Sequence, residues 1–173
     1  MVRRSLSTAY RVVAAAASLA IAVPASAATA PGSANLNLYK PLLLAKTVDL
    51  DFGAMFTPAT GTGTIRIDAN GGAAVYTGLT AAGARATSRA IFTGSATRLS
   101  LVFLQYPAGS VTLTRVGGTE TLTASNFTID SGGVLRIVGT TPYTIGIGAT
   151  LSVPSTAVDG SYLGTFTVTA NYF

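Results

Sequence analysis

The residues best placed for chemistry are Asp49 and Asp51, the second of which opens the triplet Asp51-Phe52-Gly53. Protein kinases hold a metal ion with that triplet. Their chemistry also needs a glycine-rich nucleotide loop, a strand lysine and a catalytic His-Arg-Asp, and the sequence has none of these. Asp49 and Asp51 alternate with Leu50 and Phe52, which predicts a solvated strand face. Two carboxylates also fall short of the roughly six to eight oxygens that Ca²⁺ takes. Gly61-Thr62-Gly63 lacks the lysine and following helix of a phosphate loop. The chain has no His and no Cys, which removes the commonest general base and the thiol nucleophile. Glu120 is the only glutamate, without an acidic neighbour in sequence, and no serine stands in a Gly-x-Ser-x-Gly elbow. These residues argue against an enzyme and imply neither cofactor nor metal.

What remains is a chain built to be exported and to form strands. Arg3, Arg4 and Arg11 lead into an apolar run from Val12 to Val23, then Ala25-Ser26-Ala27. That order is a secretory signal with small residues at the cleavage site, Ala25 and Ala27. The apolar run is too short to span a membrane, which takes about twenty residues. The arginine pair hints at the twin-arginine route, but its usual continuation is missing, so general secretion is expected. A mature chain from Ala28 keeps 146 of 173 residues and no transmembrane segment. Without the three leader arginines, eight Lys/Arg face six Asp/Glu, so the formal charge falls from +5 to +2. The remaining basic residues are scattered singly rather than clustered, which argues against nucleic acid as a partner. An exported chain without cysteine has no disulfide to staple it.

The positioning elements read as short strands between turns. Alternating runs occur at 64–68, 98–104, 110–116 and 134–138, and the longest covers Tyr143 to Val153. Asn70-Gly71-Gly72, Pro107-Ala108-Gly109, Gly117-Gly118 and Ser131-Gly132-Gly133 separate them as turns. Residues 81–90 read as an exposed loop, because Gly83 interrupts them and no apolar period is present. No linker or repeat divides residues 41–173. Many short strands at this spacing predict an all-β sandwich or barrel.

The last fourteen residues carry the clearest pattern. Tyr162, Phe166, Val168, Ala170 and Tyr172 fall on one face of a predicted final strand, with Thr165, Thr167, Thr169 and Asn171 on the other. Gly160 opens the stretch and Tyr172 is penultimate.

Two anchors resemble one family. Pro41 to Gly53 (PLLLAKTVDLDFG) is similar to the opening of a family of secreted bacterial fimbrial-like proteins catalogued as a domain of unknown function. Leu151-Ser152-Val153, then Gly160, Tyr162, Gly164, Phe166, Val168 and Tyr172, match its ending in order and spacing. The resemblance covers residues 41 to 173 and implies an immunoglobulin-like β-sandwich of the pilin type, incomplete until a donor strand fills it. It implies that Gly160–Phe173 is the strand read by a periplasmic chaperone and an outer-membrane usher. Many fimbrial subunits carry a disulfide, and this chain departs from them there.

The same resemblance gives a role to residues 28–40. Ala30, Gly32, Ala34, Leu36 and Leu38 form a second period-2 row, placed like the extension that inserts into the next pilin subunit. Pro31 weakens it as a strand. Burying two leucines is worth ~3–6 kcal/mol, and each net backbone hydrogen bond adds ~0.5–1.5 kcal/mol. Ordering the tail opposes this by ~1–2 kcal/mol per residue. The expected function is a subunit of a surface fimbria, joined to copies of itself or sister subunits by donor-strand exchange. The alternatives are a monomeric secreted module that binds carbohydrate or matrix through Tyr39, Tyr76, Tyr106 or Tyr143, and a shell subunit using the same strand logic.

Overall fold

The computed structural model describes residues 28–83, 85–139 and 142–173, so the leader and its cleavage residues Ala25 and Ala27 lie outside it. The chain divides after Leu36 into two units, described separately. In the first, residues 28–36 form no strand and are exposed. The second, Asn37–Phe173, is all-β, with strands in curled antiparallel sheets and no helix among the described residues.

The strands are β1 (Leu43–Val48), β2 (Met55–Phe56), β3 (Thr62–Ile67), β4 (Val75–Thr77), β5 (Thr80–Ala81), β6 (Ala90–Ser95) and β7 (Leu101–Gln105). They continue with β8 (Val111–Arg115), β9 (Thr121–Ile129), β10 (Leu135–Ile137), β11 (Tyr143–Pro154), β12 (Tyr162–Leu163) and β13 (Thr169–Tyr172). The larger sheet runs β1-β6-β11-β9-β8-β12, with β3 and β4 attached through β11. A smaller sheet runs β10-β7-β13, and β2 pairs with β5 as a ribbon.

β11 is the axis of the larger sheet. One edge pairs with β9, while β6 and β3 share the other, β6 along Tyr143–Ile147 and β3 along Ala149–Pro154. The alternation predicted for Tyr143–Val153 fits this, because Ile145, Ile147, Ala149, Leu151 and Val153 are all buried. They join Ile65, Ile67, Phe92, Leu122, Phe127 and Val168, with Val102 and Leu104 of the smaller sheet, in one core cluster. Gly146 and Gly148 lie where the shared edge passes from β6 to β3. A Cβ on either would overlap the backbone of Ile67–Ala69, so only glycine admits that close crossing.

Tyr143 illustrates how the core closes. Its ring lies across Gly94 on β6, in the space a Cβ would take. Its hydroxyl is buried with no hydrogen-bond partner among the described residues, and burial raises its pKa, with Tyr172 adding to the effect. Tyr143→Phe removes an unsatisfied group and keeps the ring, so stability should stay level or rise by up to about 1 kcal/mol. Tyr143→Ala uncovers Gly94 and should cost about 3 kcal/mol. Urea midpoints check both, and a Phe variant as unstable as the Ala variant would refute the account.

The turns fall where the sequence places them, with left-handed Gly71, Gly72, Gly117 and Gly133. The first three residues of the expected 98–104 strand instead form a turn, with Leu99 left-handed at φ 62°. Of the expected exposed loop 81–90, Ala81 lies in β5 and Ala90 is buried in β6. The described residues between them, 82–83 and 85–89, form no strand beyond an isolated bridge, Asp51 to Ser88, and residues 87–89 are half-buried rather than exposed.

Candidate functional site

The C-terminal stretch keeps its faces but not its continuity. Residues 160–173 do not form the single strand that the alternation predicts. β12 pairs with β8 at the end of the larger sheet, and β13 pairs with β7 at the end of the smaller one. Between them Gly164 lies against the backbone of β8, where a Cβ would stand 2.6 Å from the Thr112 carbonyl oxygen. Phe166 tilts against Phe127 with ring centroids 5.4 Å apart, and meets Phe92 edge-on at 6.2 Å. Val168 is buried, while Tyr162, Ala170 and Tyr172 are half-buried against the same core. The predicted apolar face therefore packs into its own domain. What the stretch offers outward is the backbone edges of β12 and β13, with which no other strand among the described residues pairs.

A hairpin and its ion pair dock the first of these edges. The backbone N–H of Val116 donates to the Ser161 carbonyl (2.8 Å), and Tyr162 donates its hydroxyl to the Val158 carbonyl (2.7 Å). Gly160, at φ 142°, rests on the Arg115 side chain. Arg115 in turn holds Glu120 through Nε–H to Oε2 (2.7 Å) and Nη2–H to Oε1 (3.2 Å). The Arg115 hydrogen bond, and then the backbone N–H groups of Glu120 and Thr119, lower the Glu120 pKa from 4.5 to about 2. A carboxyl depressed by folding contributes its stability fully above its unfolded pKa and loses it as pH falls through the folded one. Acid sensitivity between pH 4.5 and about 2 should therefore flatten in Glu120→Gln. Urea midpoints measured across that window check it, and parallel curves for both proteins would exclude the pair as a contributor.

A clamp fixes the second edge. The Tyr172 hydroxyl donates to the Lys40 carbonyl (2.6 Å) and accepts from the Thr97 N–H (2.9 Å). The Lys40 N–H donates to Thr97 Oγ1 (2.6 Å), and the Tyr39 ring leans on Tyr172 at 5.3 Å between centroids. A hollow of about 360 Å³ beside the clamp includes Leu99 and Phe173 in its wall. The penultimate tyrosine thus ties the last strand to the backbone where the N-terminal extension leaves the domain. No local sequence pattern marks Thr97, because its partners lie 57 and 75 residues away.

Ala30, Gly32, Ala34, Leu36 and Leu38 join no strand, and residues 28–41 are exposed throughout. Asp49 and Asp51 do not share a strand face. Asp51 caps the Gly53 N–H (2.8 Å) and pairs with Arg85, while Asp49 pairs with Lys46. Among the described residues no group of three or more His, Cys, Asp or Glu is placed to hold a metal. No helix among them is long and apolar enough to cross a membrane. Of the tyrosines proposed to stack on sugars, Tyr143 is committed to Gly94 and Tyr39 to Tyr172, and Tyr76 packs against the core. Tyr106 lines a groove of about 730 Å³ between Phe103–Ser110 and Ser125–Phe127.

No curated protein and no solved structure matches the chain. The family described as Domain of unknown function (DUF4402) matches residues 42–172, from just after the clamp to its tyrosine, and the chain belongs to that family.

Proposed function

We propose that the protein is a non-enzymatic structural subunit of a bacterial surface fibre. In this reading it is an immunoglobulin-like sandwich that is completed by the N-terminal extension of a neighbouring copy or sister subunit. A secretory leader exports it to the periplasm, where a chaperone pairs with the C-terminal edge and an outer-membrane usher passes subunits to the cell surface. The observation that carries the reading is the state of residues 28–41: exposed, outside every strand, yet bearing a period-2 apolar row that ends in Leu36 and Leu38. A row of that kind gains free energy only when it finds a sheet edge and an apolar surface. The bare edges of β12 and β13 support the chaperone half of the reading, since open edges in an exported protein need cover.

Mature protein secreted from its host, run on a denaturing gel without boiling, should give a ladder of multiples that collapses to monomer on boiling. A single monomer band in both lanes, from a protein that melts cooperatively alone, would refute the fibre reading.

A further inference from the structure

β8 runs beside β9 only as far as Ala124, so among the described residues Ser125–Ile129 has no strand partner on that edge. The ladder with β11 shifts there, and Asn126 stands left-handed at φ 49°, the mark of a bulge. Across from this bare edge, Phe103–Ser110 complete the groove of about 730 Å³. Its wall includes Phe103, Tyr106 and Phe127 and contains no charged side chain.

We propose that this groove is the acceptor site for the Ala30–Leu38 segment of a second copy of the chain. The inference rests on the fibre reading and adds where the extension lodges. The segment matches the groove in chemistry, since residues 28–39 contain no charged side chain either. A charged strand seated there would lose hydration without a partner, whereas a neutral one does not. The match extends to the backbone, because an extended segment supplies the N–H and C=O groups that Ser125–Ile129 lacks on that side. Leu36 and Leu38 are two positions apart, so both turn to one side of an added strand, against the aromatic wall, while Asn35 and Asn37 turn to the other. At about 3.3 Å per residue, the nine residues from Ala30 to Leu38 span about 30 Å, long enough to follow the groove and leave the alanines beyond it.

The absence of cysteine makes the test direct. Asn37→Cys and Ala108→Cys are made separately in the full mature chain, mixed during assembly and mildly oxidised. Both positions are exposed, so neither change should disturb folding. Seating in the groove brings the two residues within the roughly 4.4–6.8 Å between Cα atoms that a disulfide needs. The mixed disulfide dimer should then exceed that from Asn37→Cys with Thr77→Cys, on exposed β4, by about tenfold, because docking raises the local concentration. A heat-sensitive ladder without this bond would overturn the groove and leave the fibre reading standing. Loss of both ladder and bond would overturn both. In an Asn37→Cys, Ala108→Cys double variant, a bond formed within one chain would overturn a second copy as the occupant.

Discussion

Asp130→Ala is expected to destabilise the domain by about 3–5 kcal/mol, because it leaves the charge of Arg136 without its partner in a mostly buried site. The two side chains are only 17% and 13% exposed. Asp130, just after β9, pairs with Arg136 of β10 and accepts the Gly146 N–H of β11 through Oδ2 (2.7 Å). Arg136 donates to the carbonyls of Gly133 (2.9 Å) and Thr144 (2.8 Å). The pair therefore stitches the edge strand of the smaller sheet to the centre of the larger one. With a urea m-value of about 1–3 kcal/mol/M, the loss should lower the midpoint by roughly 2 M. Arg136→Met alone should be similarly costly, and the double variant should recover part of the loss, since no charge is left unpaired. A change below about 1 kcal/mol in Asp130→Ala, or full additivity in the double variant, would show that the sheets hold together without this pair.

The sequence shows which side chains face inward far better than it shows which strands pair. Tyr143–Val153 was legible because β11 keeps one phase over its whole length. β9 was not, because Leu122 and Ala124 are buried on one phase while Phe127 and Ile129 continue on the other. The left-handed Asn126 makes that switch, and a one-residue insertion reverses every face beyond it. β6 hid for a different reason. One of its inward positions is Gly94, whose missing side chain is supplied by Tyr143 from the neighbouring strand. In the C-terminal stretch the alternation of Phe166, Val168, Ala170 and Tyr172 matches the side that packs on the core, yet the pairing of the stretch passes from one sheet to the other. Period 2 records the pleat and carries no information about the hydrogen-bond partner. The clamp at Tyr172 and Thr97 and the groove beside β9 both arise from such long-range pairing, so neither leaves a local signature.

Leu36→Asp with Leu38→Asp should abolish the ladder while leaving the monomer's stability unchanged. The two leucines are 84% and 86% exposed in the isolated chain, so their replacement removes little packing from the folded subunit. In the assembled state each is worth ~1.5–3 kcal/mol of burial, and a carboxylate in its place must also shed its hydration or take up a proton. The combined loss exceeds the ~3–6 kcal/mol of the leucines alone. Since each 1.4 kcal/mol is about a factor of ten, it lowers the association constant by about two to four orders of magnitude before the charge is counted. The paired control is Leu36→Met with Leu38→Met, which keeps volume and apolarity and should preserve the ladder. Exported amounts and the thermal midpoint of the monomer should be the same for both variants. A midpoint that falls with the aspartates would mean that the leucines pack within their own subunit. A ladder that survives them would mean that the extension does not join the subunits, since no fold-internal role is left for two exposed leucines to lose.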